Sequence, residues 1–151
     1  MQIRQDDLTG EEITGFLREH LENMNAVTPS GSVHALPLGD LRSPTVTFWS
    51  VWEGAELLGC GALKELDAKT GEVKSMRTAE AHRSRGVGGG MLEYIIREAQ
   101  RRAYTVLKLE TGATLAFAPA RALYLRHGFS YCGPFADYTN DPNSVFMTKE
   151  L

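Results

Sequence analysis

The residues most able to do chemistry form a glycine-rich segment between a predicted strand and a predicted helix. Residues 83–90 read Arg-Ser-Arg-Gly-Val-Gly-Gly-Gly. Each glycine at a helix start costs about 1 kcal/mol relative to alanine, and a ligand that needs bare backbone N–H groups would justify that cost. The first N–H groups of a helix have no internal partner and carry the positive end of the helix dipole, which favours phosphate. With Arg83 and Arg85 beside it, the segment predicts a pyrophosphate-binding loop; a glycine-rich turn with two solvated arginines fits the glycines equally well.

Two other kinds of phosphate-binding loop do not fit this segment. A P-loop needs Lys and then Ser or Thr after its last glycine, whereas Met91 follows Gly90. A dinucleotide-binding fold begins with a parallel strand–helix–strand unit, whereas this loop follows a predicted antiparallel meander. These two kinds of loop are therefore set aside, and a pyrophosphate-binding loop of another kind and a glycine-rich turn both stay open.

Strands and helices must position this loop, and the first half of the sequence predicts four strands. Thr9 and Glu12 have the spacing of a capping box for a first helix. Residues 25–45 hold several prolines and glycines and read as an irregular stretch with one short helix near Leu38–Leu41. Short polar turns join the later strands, which favours antiparallel pairing. The predicted strands cover residues 2–5, 46–52, 57–66 and 72–78.

The second half of the sequence alternates helices and strands. Helical spacing of apolar residues predicts a helix over 86–103, and Pro119 and Gly128 bracket a second helix over 119–127. Strands are predicted at 104–110, 129–132 and 144–149. A strand, helix and strand spanning 72–110 predicts one parallel pair in an otherwise antiparallel, mixed sheet.

Three segments resemble one known family. Residues 83–90 match the Arg/Gln-x-x-Gly-x-Gly/Ala signature of the GNAT superfamily of N-acetyltransferases. Residues 72–78 resemble that family's fourth strand, and residues 118–129, Ala-Pro-Ala-Arg-Ala-Leu-Tyr-Leu-Arg-His-Gly-Phe, resemble its Ala-x-x-Leu-Tyr-x-x-x-Gly-Phe segment. The matches cover about residues 57–133 in the family's order. The loop alone is a weak signal, but the three segments in order are specific.

The resemblance implies both a fold and an activity. The expected fold is of the α/β class, a mixed sheet of six or seven strands with helices on both faces, in one domain over residues 1–151. The expected activity is acetyl-CoA-dependent transfer of an acetyl group directly to a primary amine of a small molecule or peptide. A non-catalytic acyl-CoA-binding module that acts as a sensor or interaction domain is the alternative, and a domain without a ligand is a third interpretation.

The resemblance also assigns residues to the coenzyme acetyl-CoA. Backbone groups of Met76 and Thr78 would bond the pantetheine arm, and amides from Arg85 to Gly90 would hold the pyrophosphate. Many family members carry Asn where this sequence has Phe117, so a side-chain amide contact is absent here or supplied by another residue. The expected coenzyme-binding residues are Met76, Arg77, Thr78, Arg83, Ser84, Arg85, Gly86, Val87, Gly88, Gly89, Gly90, Phe117, Pro119, Ala120, Leu123 and Tyr124.

Tyr124 is the leading candidate for a catalytic residue. It matches the family tyrosine often found beside the coenzyme sulfur, where a phenol stays protonated at neutral pH and can donate to the departing thiolate. The helical pattern alone favours a core tyrosine, whereas the resemblance favours the catalytic interpretation. Glu110 and Glu72 are candidate bases for the amine near the point where two strands diverge. A solvated strand-end carboxylate is the simpler interpretation of each, and a water chain could replace both.

The remaining composition narrows the possible partners and location. A net charge of -3 argues against general nucleic-acid binding, and no apolar run reaches the roughly 18–20 residues of a membrane span. Without a recognisable secretory signal, and with Cys60 and Cys132 read as reduced thiols, the protein is expected in the cytoplasm. The four histidines have no metal spacing, so no metal is expected. A homodimer is expected from the resemblance alone.

The sequence does not identify the acceptor amine. We expect residues 25–45, which include His34, and the 134–143 loop to line the acceptor pocket. His82 reads as a loop residue rather than a base.

Overall fold

The computed structural model describes residues 1–27 and 38–151. His34 and residues 28–37 of the predicted acceptor-lining stretch lie outside these residues. The strands are β1 (Gln2–Gln5), β2 (Val46–Glu53), β3 (Glu56–Asp67), β4 (Thr70–Thr78), β5 (Val106–Gly112), β6 (Ser130–Cys132) and β7 (Ser144–Glu150). The α-helices are α1 (Glu11–Val27), α2 (Leu38–Leu41), α3 (Val87–Arg101) and α4 (Ala118–Arg126).

The strands form one mixed sheet in the order β1-β2-β3-β4-β5-β7-β6. Neighbouring strands pair antiparallel except β4 and β5, which pair parallel across the α3 crossover. The predicted element order and the predicted parallel pair are therefore confirmed. Residues 1–27 and 38–151 contain seven strands, the larger of the two expected numbers, six and seven.

The parallel pairing of β4 with β5 is short. It joins Thr70, Gly71 and Glu72 to Val106, Leu107 and Lys108 and stops there. β4 continues to Thr78 and β5 to Gly112 after the last pair. The two strands therefore diverge, and the backbone N–H and C=O groups along the inner edges of the gap need partners other than each other. We call this gap the cleft between β4 and β5.

A β-bulge lies in the part of β4 that borders the cleft. Lys74 is opposite Ala62 and Arg77 is opposite Cys60, so two β4 residues stand opposite one residue of β3. Ser75, within the bulge, has a φ of 56°. The Cys60 thiol donates to the Ser75 carbonyl at 3.1 Å, and burial raises the pKa of this thiol to about 12. The bulge is thus held by a thiol that stays protonated.

Each face of the sheet has its own core. On the α3 face, α3 and α4 pack against inward side chains of the central strands, including Val73, Leu109 and Met147. On the α1 face, α1 and α2 pack against β2 and β3 through Phe48 and Ala62. Because side chains alternate along a strand, the neighbours of Val73 and Leu109 point to the α1 face. The expectation of helices on both faces is confirmed.

The first helix does not begin as predicted. α1 starts at Glu11, and the Thr9 hydroxyl donates to the Asp7 carboxylate at 2.6 Å instead of capping the helix. The capping-box prediction is therefore wrong. The first helical hydrogen bond runs from the Thr14 N–H to the Gly10 carbonyl at 3.2 Å, so Gly10 and not Thr9 precedes the helix, and the Thr9 hydroxyl lies one residue too early to cap it.

Candidate active site

The glycine-rich loop turns sharply into α3. Ser84 and Gly86 have φ of 65° and 83°, and Gly86 is the residue that precedes the helix. A Cβ at Gly86 would meet no other atom, so the backbone conformation rather than crowding favours glycine there. The first helical hydrogen bond runs from the Gly90 N–H to the Gly86 carbonyl at 2.9 Å. The N–H groups of the three residues between them lie at the start of the helix, where anions are favoured.

The helix start is packed closely against α4 and the end of β4. A Cβ at Gly88 would lie 3.3 Å from Leu123 Cδ2 and 3.6 Å from Thr78 Oγ1. A Cβ at Gly89 would lie 3.8 Å from Leu123 Cδ1. The structure therefore brings together predicted coenzyme-binding residues from β4, α3 and α4. Small side chains at the helix start are what allow this approach.

The two arginines of the loop differ in their contacts. Both are exposed. The NH1 group of Arg85 lies 2.8 Å from Nδ1 of His82, whose Nε2 lies 2.7 Å from a carboxylate oxygen of Glu56. His82 is buried at the end of a 3-10 turn, Glu80–His82. The prediction of a loop position for His82 holds, but the sequence did not indicate its burial or its partners.

The Arg77 side chain points to α1 and not to the loop. Its guanidinium donates to His20 Nδ1 at 3.1 Å, lies 5.0 Å from the ring of Phe16, and contacts Glu19 at 3.8 Å. The Asn23 amide oxygen, in the orientation its partners require, accepts from it at 3.0 Å. Burial, and next the charge of Arg77, lower the pKa of His20 to about 4. The side chain of Arg77 is therefore engaged by α1, which leaves only its backbone for the predicted coenzyme contact.

The position of the expected family asparagine is filled by an aromatic ring. Phe117 packs so closely on the end of β5 that a Cβ at Gly112 would collide with its ring. Arg121 of α4 donates to the carbonyls of Gly112 and Thr114 at 2.7 and 2.8 Å. α4 is therefore fixed to the end of β5, at the mouth of the cleft.

Tyr124 is a buried residue of α4. Its side chain is 6% exposed, and its ring packs edge-on against Phe129 with centroids 5.8 Å apart. Burial raises the pKa of its phenol, and the negative charge of Glu110 raises it further. Glu110 is a residue of β5, one of the two strands that border the cleft.

Glu72 lies at the closed end of the cleft and is buried, not solvated as the simpler interpretation held. It is 2% exposed, and its Oε2 accepts from Tyr138 at 2.6 Å and from Lys74 at 3.1 Å. Lys74 also donates to the Tyr138 hydroxyl at 2.8 Å. Glu72 and Lys74 share one face, as the two-residue strand period predicted. The pKa of Tyr138 is raised by burial and next by the charge of Glu72.

The loop between β6 and β7 covers this part of the α1 face. The rings of Phe135, Tyr138 and Phe146 form a cluster with centroids 5.1 to 5.9 Å apart. Lys108 Nζ lies 5.7 Å from the centre of the Phe135 ring. Glu110 lies opposite Phe146 and is half-buried. The sequence predicted this loop as part of the pocket, but it carried no signal for Tyr138 in particular.

Comparison with known proteins agrees with this arrangement. The family model described as "Acetyltransferase (GNAT) family" matches residues 9–129, which include the loop, the cleft strands and all of α4. The chain belongs to this GNAT family. The expected N-acetyltransferase fold, and acetyl-CoA-dependent acetylation as its activity, are thereby confirmed.

Curated relatives of this GNAT chain match it over nearly its whole length. It is 56% identical over 151 residues to the uncharacterized N-acetyltransferase YsnE of Bacillus subtilis, with 100% of both chains covered. It is 49% identical over 149 residues to the uncharacterized N-acetyltransferase YedL of Escherichia coli, covering 99% of this chain and 94% of that protein.

Solved structures share the GNAT fold. A proposed acyl-CoA N-acyltransferase of Klebsiella pneumoniae is 30% identical, with a TM-score of 0.79 over 99% of this chain and 97% of that one. A GNAT acetyltransferase of Elizabethkingia anophelis, solved with acetyl-CoA bound, is 21% identical with a TM-score of 0.70 over 99% and 97%. At 21% identity, the similarity to the Elizabethkingia structure is a similarity of fold alone.

Two further features of this GNAT chain bear on the class of site. Among residues 1–27 and 38–151, no group of three or more His, Cys, Asp or Glu side chains could hold a metal ion. In the same residues, no helix is both long and apolar enough to cross a membrane.

Proposed function

We propose that acetyl transfer takes place at the cleft between β4 and β5, directly from acetyl-CoA to a primary amine of a small molecule or peptide. The observation that carries the proposal is the end of parallel pairing at Glu72 and Lys108, beside the glycine-rich loop and α4. The open strand edges offer backbone partners for the amides of the pantetheine arm. Residues 1–151 act as one domain in this proposal, and a homodimer in the cytoplasm is part of it on the strength of the resemblance.

The proposed coenzyme clamp uses backbone more than side chains. Met76, within the bulge, and Thr78, beyond it, offer N–H and C=O groups on the β4 side of the cleft. Of the N–H groups expected to hold the pyrophosphate, from Arg85 to Gly90, those up to Gly89 face it at the start of α3, where the left-handed Gly86 turns the chain; the Gly90 N–H is already used by the Gly86 carbonyl. Phe117, Pro119, Ala120 and Leu123 line the α4 side. The approach of Leu123 and Thr78 to Gly88 supports a single continuous surface.

Tyr124 is proposed to stabilise the leaving thiolate. The neutral amine nitrogen attacks the thioester carbon, the tetrahedral intermediate collapses, and the C–S bond breaks with its electron pair on sulfur. The nitrogen loses its surplus proton to give the amide, and the departing thiolate takes up that proton through water. A buried phenol with a raised pKa holds its proton firmly. Tyr124 is therefore better suited to donate a hydrogen bond to the sulfur than to give its proton away completely.

Glu110 is proposed to receive the amine, with Glu72 in a supporting role. Glu72 is occupied by Tyr138 and Lys74 at the closed end of the cleft. Glu110 lies two positions beyond Lys108 on β5, after the pairing with β4 has ended. Its carboxylate would bind the ammonium form and accept the proton directly or through water before attack.

An amine-panel assay that follows CoA thiol release from acetyl-CoA tests the activity, and a matched pair of variants tests its location. Gly88→Ala and Gly88→Asp add the same Cβ beside Leu123, but only the second adds negative charge at the proposed pyrophosphate site. We expect calorimetry to give much weaker CoA binding for Gly88→Asp than for Gly88→Ala. Equal affinities in two folded variants would remove the clamp from this loop.

A further inference from the structure

His82 has an unusually complete set of partners for a residue between a strand and a helix. It is 9% exposed, although the loop residues that follow it are exposed. One ring nitrogen, Nδ1, lies 2.8 Å from Arg85 NH1, and the other, Nε2, lies 2.7 Å from Glu56 Oε1. The imidazole therefore connects the start of β3 to the glycine-rich loop.

The chemistry of the two partners decides where the imidazole proton lies. A guanidinium can only donate, so Nδ1 must accept from Arg85. The remaining hydrogen of the neutral ring is then on Nε2, which donates to the carboxylate of Glu56. A doubly protonated ring would set an Nδ1–H against the N–H of Arg85. The arrangement therefore requires a neutral His82 with a single tautomer, and each hydrogen bond has one direction, from Arg85 to His82 to Glu56.

We propose that His82 is a positioning residue that holds the Arg85 guanidinium ready for the coenzyme pyrophosphate. This inference rests on the proposed coenzyme clamp. An exposed arginine side chain loses rotamer freedom when it binds an anion, and a partner that fixes it beforehand reduces that loss. One N–H of the guanidinium is used by His82, and its other donors are left for phosphate oxygens. The charged residues nearest to His82 in sequence are Glu80 before it and Arg83 after it, and their charges are opposite in sign.

Two matched substitutions at His82 separate the positioning role from simple packing. His82→Leu fills the buried space without any hydrogen-bonding group. His82→Asn keeps an acceptor, Oδ1, near the position of Nδ1. We expect His82→Leu to weaken CoA binding several-fold in calorimetry and His82→Asn to recover most of the affinity. A packing role would predict the opposite ranking, because leucine fills the space better than asparagine, and that ranking would overturn the proposal.

A double-mutant cycle with Arg85→Ala gives the second readout. Arg85→Ala alone should weaken CoA binding about tenfold, which is typical of losing one charge-assisted hydrogen bond. If His82 acts through Arg85, His82→Leu should cause no further loss in the Arg85→Ala background. Equal losses from His82→Leu in both backgrounds would overturn the proposal.

Glu56→Ala provides a test that leaves the buried ring in place and removes only the partner that orients it. The Glu56 side chain is 65% exposed, so its removal leaves the fold intact. We expect weaker CoA binding in Glu56→Ala and no added effect in the Arg85→Ala background. If Arg85→Ala itself leaves CoA affinity unchanged, the His82 proposal fails, and the Gly88→Ala and Gly88→Asp pair decides separately whether the clamp is in this loop.

Discussion

A tyrosine as deeply buried as Tyr124 can serve the core, the chemistry or both. Its ring packs on Phe129, which is a structural contact. Burial, and next the negative charge of Glu110, raise the pKa of its phenol, and Glu110 belongs to the proposed acceptor site. The two roles separate when the hydroxyl alone is removed.

Tyr124→Phe should keep the packing and lose only the phenol. We expect acetyl-CoA affinity to change little and turnover to fall by roughly 10- to 1,000-fold, since a positioned proton donor typically contributes about 10²–10⁴. Calorimetry with acetyl-CoA and steady-state thiol-release kinetics on the same preparation measure the two quantities. Full turnover with altered thermal stability would assign Tyr124 to the core alone.

Contacts between residues close in sequence were predictable at this scale, and contacts between distant residues were not. Glu72 and Lys74 were expected on one face because strand side chains alternate. The third member of that cluster, Tyr138, comes from a loop far along the chain, and no local pattern indicates such a contact. His82 illustrates the same limit, since its partner Glu56 belongs to another strand. The predicted roles of the site residues themselves stay predictions.

At the scale of elements, the contact between α1 and β4 includes His20, whose ring nitrogen accepts a hydrogen bond from Arg77 when the ring is neutral. His20 accepts from Arg77, and its pKa in the folded protein is lowered from 6.5 to about 4, by burial first and by Arg77 second. The unfolded chain therefore binds more protons between these two values. The stability contributed by a neutral His20 is present above about pH 6.5 and is lost as the pH falls towards 4.

His20→Gln keeps an acceptor for Arg77 and does not titrate. Relative to this variant, the wild-type protein should lose on the order of 3 kcal/mol of unfolding free energy between pH 6.5 and 4. Urea unfolding of both proteins across this range measures the difference. Parallel pH profiles for the two proteins would contradict the assignment of a depressed pKa to His20.

The end of β5 and the start of α4 are joined through the contact of Gly112 with Phe117. Gly112→Ala should destabilise the protein by about 1–3 kcal/mol, because the new methyl group overlaps the Phe117 ring. In a Phe117→Ala background the same change should cost clearly less, which denaturant unfolding of all four proteins would measure. If the effects of Gly112→Ala and Phe117→Ala simply add, the new methyl group does not press on the Phe117 ring, which would mean that the start of α4 has room to move away.

The elements themselves were largely predictable from the sequence, and their irregularities were not. Periodicity and turn residues gave the order of all seven strands and of α1 to α4, with ends that differ by a few residues. The capping prediction at Thr9 was wrong because the helix starts one residue later than the predicted spacing requires, with Gly10 preceding it. The β4 bulge depends on the register with Cys60 and Ala62 on another strand, and such a register follows from the assembled sheet.

For the whole molecule, coenzyme binding should appear as added stability. A ligand that binds only the folded state at about 100 times its Kd adds about 2.7 kcal/mol, which corresponds to a rise of roughly 5–10 °C in Tm for a protein of this size. Differential scanning fluorimetry with CoA measures the rise, with Gly88→Asp as the variant expected to lack most of it. A wild-type protein without any shift at millimolar CoA would contradict coenzyme binding.

The position of β7 in the sheet also sets the order in which the protein can be made. β7 lies between β5 and β6, although both are synthesised before it. While the ribosome is still producing the 133–143 loop, the first four strands and α3 are already available to assemble from contiguous sequence. β5 meanwhile keeps an unsatisfied edge, of the kind that promotes association between nascent chains. The sheet is therefore complete only when β7 pairs between two strands made before it, and such non-local pairing is comparatively slow.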